Sequence, residues 1–217
     1  MTNNNEPNHG QPIGHELGAS LESTGAEWRN WLVTGGIAAI LILAVILYRS
    51  NNANNEEKAS RMLGEARNSQ ALQSILTQYP NTSATKLALL QLAKAQYDNS
   101  DFVAAQSNYQ EFLSKYPDHP MAAMAELGKI HCTEGLGNTE VALTAFTQFA
   151  AKHPQHFLMP MAIFGKARCL QDLKRYVEAR ATYEDFLASN PKSPWLNDVN
   201  EALKQLDSEA RRPSIKL

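Results

Sequence analysis

The chain is 217 residues long, 43% apolar and 19% charged, with a formal net charge of −2. That is room for one ordinary domain plus a tail or an anchor. Residues 1–30 carry four acids and one base, and the remainder 19 bases and 18 acids. A near-neutral body lacks the excess of Lys and Arg that phosphate binding requires, so nucleic acid is excluded as the principal partner. Two cysteines, Cys132 and Cys169, are too few for a disulfide framework.

Residues 1–27 mix Asn, Pro and Gly with scattered acids and show neither helical nor strand periodicity, which predicts a disordered acidic tail. Within 28–49, the stretch Trp31 to Tyr48 has no charge, and ten of its residues are Leu, Ile or Val. Eighteen helical residues rise roughly 27 Å, close to the hydrocarbon thickness of a bilayer. Trp28, Trp31 and Tyr48 stand where interfacial aromatics belong, and Arg29 and Arg49 bracket the run. The run follows thirty acid-leaning residues, and no small-x-small cleavage site or lipid-accepting cysteine accompanies it. It is therefore expected to remain as a membrane-spanning helix, with residues 31–48 in the bilayer. Gly35 and Ala39 form a small-xxx-small pair through which two such helices can associate.

Residues 50–63 read as a polar linker or helix extension, and 64–208 repeat with a period of 37. Pro80, Pro117, Pro154 and Pro191 mark the step. Further columns keep it: Tyr109/Phe146/Tyr183, Phe112/Phe149/Phe186, Ala105/Ala142/Ala179, Ala88/Ala125/Ala162 and Leu90/Leu127/Phe164. A fixed period of this size is the signature of a solenoid. Each unit divides into two helices, A over about Ala84 to Tyr97 and B over about Asp101 to Tyr116 in the first full unit, with Ser83 ahead of helix A. The proline ends helix B. A helix B precedes Pro80, and its helix A would fall at 47–61, where a polar sequence predicts a degraded first repeat. Trp195 to Leu206, with Leu196, Val199, Leu203 and Leu206 on one face, reads as the capping helix, and 209–217 as a tail.

Phe102-x-x-Ala105-x-x-x-Tyr109…Pro117 and Tyr176-x-x-Ala179-x-x-x-Tyr183…Pro191 resemble the tetratricopeptide pattern, with Leu127-Gly128 and Phe164-Gly165 similar to that family's Leu-Gly in helix A. The period of 37 instead of 34, and Phe112, Phe149 and Phe186 in place of a late alanine, are departures. The run Phe112-Leu113-Ser114-Lys115-Tyr116-Pro117 is similar to repeats of bacterial envelope proteins such as the β-barrel assembly lipoprotein and the Tol-Pal cell-division coordinator. An N-terminal span leading into repeats resembles the ancillary subunit of the bacterial Sec translocon in architecture. These resemblances imply an all-α fold, a transmembrane helix followed by a right-handed α-solenoid. They also imply a non-enzymatic scaffold for protein partners in envelope traffic or assembly.

No catalytic motif or cofactor signature is present. Gly135-Leu136-Gly137 reads as turn chemistry, without the strand or third glycine of a dinucleotide loop. Cys132 and Cys169, one period apart, are expected to be buried free thiols. His131 beside Cys132 falls short of any zinc ligand count or spacing, so no metal site is expected. His153 and His156 flank Pro154 and are expected as exposed turn residues.

Helix A carries Lys94, His131 and Arg168 in one column, and Lys129 and Lys166 in another where the first repeat has Leu92. Positions two apart point to different sides of a helix, so one column at most lines a concave groove. A basic ladder there would hold an acidic or C-terminal peptide; an ordinary solvated face is the alternative. A self-assembling protein, oligomerising through the span and the open repeat ends, is the competing reading of function. Bases flanking the span favour cytoplasmic repeats (Arg29 against Arg49, Lys58, Arg61 and Arg67). The envelope resemblances favour periplasmic repeats on the cytoplasmic (inner) membrane, which is the expectation adopted.

Overall fold

The computed structural model describes residues 14–210, with side chains for Trp28 and for 31–208. The described residues form helices α1 (Gly14–Glu65), α2 (Ser69–Gln78), α3 (Ser83–Asp98), α4 (Phe102–Lys115), α5 (Ala122–Gly135), α6 (Thr139–Lys152), α7 (Met159–Asp172), α8 (Tyr176–Ser189) and α9 (Leu196–Ala210), and no strand. Two units divide between Asn54 and Asn55, with α1 contributing to both.

In the first unit, every residue from Trp31 to Tyr48 is exposed, and this helix is long and apolar enough to cross a membrane. The tail expected for 1–27 lies outside the described residues through residue 13. From Gly14 the backbone is already helical, not irregular. Helix nucleation is the costly step, and once the apolar run is helical, extension through Glu16, Leu17, Ala19, Leu21, Glu22 and Ala26 needs only propagation. The tail expected at 209–217 lies outside the described residues from residue 211.

The second unit is a right-handed stack of hairpins. Helices A are α3, α5 and α7; helices B are α4, α6 and α8. The A-to-B turns occupy 99–101, 136–138 and 173–175, the B-to-A turns 116–121, 153–158 and 190–195. Those longer B-to-A connections, between helices of 14 residues, set the period of 37. Ala105, Ala142 and Ala179 are completely buried, so the helices of each hairpin meet without intervening side chains. Phe112, Phe149 and Phe186 fill the core with almost no exposed area.

The ring columns explain the helix A glycines. A Cβ on Gly128 would stand 2.5 Å from the Tyr109 ring, and one on Gly165 would run into Phe146. The position equivalent to Tyr109 one repeat earlier is Leu72, and the position equivalent to Gly128 is Gln91. Where there is no ring, there is no glycine. In the A-to-B turns, Ser100 (φ 61°), Gly137 (φ 79°) and Lys174 (φ 61°) occupy the same left-handed position.

Helix A of the first repeat is the end of α1, where Ala59 is fully buried against Leu72, Ile75, Ala84, Ala88 and Leu92, with Met62, Leu63 and Ala66 beside them. The packed part begins only at Ala59, near the end of the polar 47–61 stretch, and is shorter than the 14-residue helices α5 and α7. The cap of α3 is Thr82, not Ser83: Thr82 Oγ1 accepts from the Thr85 N–H at 3.2 Å. The Ser83 N–H goes instead to the Glu56 carboxylate at 2.9 and 3.0 Å, tying the end of α1 to the next hairpin. At the other end α9 buries Val199 and Leu206, and Trp195 packs on Phe164 with ring centroids 6.1 Å apart.

Candidate functional site

Helices A present one face to a groove of about 460 Å³, within the range of roughly 300–1,000 Å³ that ligand pockets occupy. Its floor is Leu90 and Leu127, both nearly buried, with Tyr109 showing beneath Gly128. Three columns at the 37-residue step run across it. Leu87, Met124 and Met161 form the first, with Met124 42% and Met161 43% exposed. Met121 and Leu158 form the second, and Lys94 and His131 the third, at the polar edge.

Met121 and Leu158 are the N-cap residues of α5 and α7, and neither caps with its side chain. The residue two before each supplies the acceptor. His119 Nδ1 accepts from the Met121 N–H, and His156 Nδ1 from the Leu158 N–H, each at 3.2 Å. Ser193 Oγ does the same for the Trp195 N–H at 3.2 Å. His156 is thus a half-buried positioning residue, not an exposed turn residue. His153 is half-buried as well, its Nε2 3.3 Å from the Glu126 carboxylate, because the turn folds back over α5.

The column Lys94, His131 and Arg168 faces the groove side; Lys129 and Lys166 do not. Lys129 Nζ donates to Gln110 Oε1 of α4 at 2.6 Å, and Lys166 lies beside Thr182 and Asp185 of α8. The groove-side cations are not an open ladder. Lys94 Nζ donates to the Asp98 carboxylate at 2.7 and 2.9 Å within its own helix. Arg168 reaches back one repeat and clasps Glu134 with Nε and Nη2 at 2.5 and 2.6 Å. His131 Nδ1 stands 3.3 Å from Glu134 Oε2 and 3.4 Å from Arg168 Nη2, so it donates to the first or accepts from the second, according to its tautomer. Burial alone would raise the pKa of Glu134; the hydrogen bonds from His131 and Arg168 outweigh it and hold the carboxyl below its usual value. The same hydrogen bond to Glu134 raises Arg168.

Cys132 and Cys169 are free and fully buried, as expected. Burial pushes their thiols up to about 11 and about 12, so at neutral pH neither has the thiolate of a nucleophile or metal ligand. Among the described residues no cluster of His, Cys, Asp and Glu is arranged to hold a metal. Gly35 and Ala39 are exposed and share one face of α1.

The Leu87/Met124/Met161 column had a signal in the sequence, its 37-residue spacing. Leucine and methionine in a helix ordinarily signify core, and only the stack shows that this column is left outside it.

A family model described as YfiO, outer membrane lipoprotein, matches residues 52–209. The chain belongs to the YfiO family. No curated protein sequence matches it. Among solved structures it is similar to a tetratricopeptide repeat protein from Parabacteroides merdae ATCC 43184, at 18% identity and a TM-score of 0.52. The match covers 74% of this chain and 63% of that one. The repeats are therefore of the tetratricopeptide type in fold.

Proposed function

We propose that the chain is a non-enzymatic scaffold held in the bacterial cytoplasmic membrane by residues 31–48, which docks segments of other proteins in the groove of α3, α5 and α7 on the extracytoplasmic side. Its setting is envelope protein traffic or assembly. The observation that carries this reading is the open apolar groove on a tetratricopeptide-type stack: three large apolar side chains, Leu87, Met124 and Met161, stand outside the core on one concave face, with half-buried Met121 beside them. Unpartnered apolar surface in a concave site is a recognition surface.

Membership of an outer membrane lipoprotein family supports the envelope setting. The anchor we propose differs from that description: the Trp31–Tyr48 helix supplies an apolar span. Tethering raises the local concentration of the groove at the membrane, so weak segment contacts suffice.

The test is a photo-crosslinking amino acid placed at Met124, and at Val177 as an exposed control, in cells expressing the full chain. Discrete adducts at Met124 and none at Val177 are expected. Protease added to spheroplasts should digest the repeats of a C-terminally tagged copy, and alkaline extraction should leave the protein in the membrane. Silence at Met124 would remove docking. Digestion only after lysis would place the repeats in the cytoplasm, as the flanking bases favour.

A further inference from the structure

The electrostatics of the groove identify the class of segment it takes, an inference that rests on the docking reading above. Among the residues lining the groove there is one lysine, one histidine and no carboxylate. The lysine is committed to Asp98, and the histidine shares Glu134 with Arg168. Around Arg168 the next polar groups toward α9 are Asp198 and Glu201. An incoming carboxylate would meet cations already neutralised and acids close by. An incoming cation would find no acid lining the groove. Charge complementarity therefore favours neither sign, and the surface left to bind is apolar.

The chemistry of that surface is specific in one respect. Three of its side chains are methionines, Met121, Met124 and Met161, and the last two are more than two-fifths exposed. Methionine is unbranched, with a polarizable sulfur and three rotatable bonds, and it refits itself to differently shaped partners. Surfaces rich in it bind many sequences rather than one. Beneath them Leu90, Leu127 and the Tyr109 ring are held in a packed core, so the floor is rigid and the walls adapt. We infer that the groove is a sequence-tolerant receptor for uncharged apolar segments of other polypeptides, and not a clamp for acidic peptides.

The full chain in lipid nanodiscs, where no detergent competes for the groove, would be titrated with short fluorescent peptides. One set contains uncharged peptides of Leu, Ala and Ser in several scrambled orders; the other replaces Ser by Glu. The expected result is that all the uncharged orders bind with Kd values within about threefold of each other, as adaptable surfaces allow. Binding should be insensitive to NaCl. The double variant Met124→Gln/Met161→Gln should weaken it about tenfold, given the apolar area those side chains bury. Both positions are exposed, so the variant should keep its helical circular dichroism. Preferential, salt-sensitive binding of the Glu peptides, lost in Lys94→Gln, would overturn this inference and leave docking intact. Binding of one uncharged order but not its scrambles would also overturn it. Failure of both sets, together with silence of the Met124 crosslinker, would fell the docking reading itself.

Discussion

Gly128→Ala should destabilise the repeats, and the loss should reverse sign when Tyr109 is changed to Leu. Glycine inside α5 sacrifices helix propensity, so alanine at an unconstrained site would stabilise by about 1 kcal/mol. Here the added Cβ meets three Tyr109 ring carbons at 2.5, 2.7 and 2.8 Å. The ring is 7% exposed and packed into the core beneath the groove. Overpacking of this kind costs about 1–3 kcal/mol, and an obstructed ring belongs at the upper end. The net expected loss is about 1–2 kcal/mol, a fall in Tm of about 3–6 °C at this chain length.

In a Tyr109→Leu background the obstacle is gone, as it is naturally at Leu72 opposite Gln91. Gly128→Ala should then raise Tm by about 2–4 °C, the propensity gain alone. Thermal unfolding of the four variants of this cycle, followed by circular dichroism, measures a coupling of about 2–3 kcal/mol. If alanine lowers Tm equally in both backgrounds, the glycine serves something other than the ring, and the pairing of ring and glycine columns is wrong.

Three further outcomes follow from named groups. Ser100→Gly and Lys174→Gly should each raise Tm by about 1–3 °C, because a side chain in the left-handed region costs about 1–2 kcal/mol and part of that is recovered against glycine's unfolded entropy; Gly137→Ala should lower it. Glu134 has a lowered folded pKa, so its stabilisation is full above the ordinary Glu value near 4.3 and is lost as pH falls through the folded value. Urea titrations should show Glu134→Gln clearly weaker than the parent at pH 7 and the gap closing toward about pH 3; a constant gap would dissociate Glu134 from acid stability. An aromatic disulfide reagent at pH 8 should leave Cys132 and Cys169 untouched until the fold is opened by denaturant, since burial holds both thiols protonated. Immediate reaction of either would contradict its burial.

What was legible in the sequence was what repeats and is apolar. The alanine and phenylalanine columns and the closing helix with Val199 and Leu206 stand where a 37-residue step and a helical period put them. The tetratricopeptide reading rested on those columns, and they form the core. Errors arose where a residue's partner lies in a register that the period does not describe. Ala59 packs out of step with the later helices A, so the 37-residue step did not place the short packed end of α1. His156 looked like a turn residue because its role, accepting the Leu158 N–H, is a local hydrogen bond that composition cannot express.

The charge of the groove is a related case. A column of Lys94, His131 and Arg168 suggests a positive stripe if charges are counted along one helix face. Their partners stand on the same face but in other columns: Asp98 is one turn on from Lys94, and Glu134 one turn on from His131. A pairing that runs between residues 34 apart is invisible to a comparison at 37. Electrostatic character therefore had to be taken from neighbours across the stack, whereas apolar character survived translation along it. The methionines are the converse case, in which the column was regular and its exposure was not. A helix face is buried or open according to whether another helix covers it, and on the concave side of α3, α5 and α7 the helices B leave it uncovered.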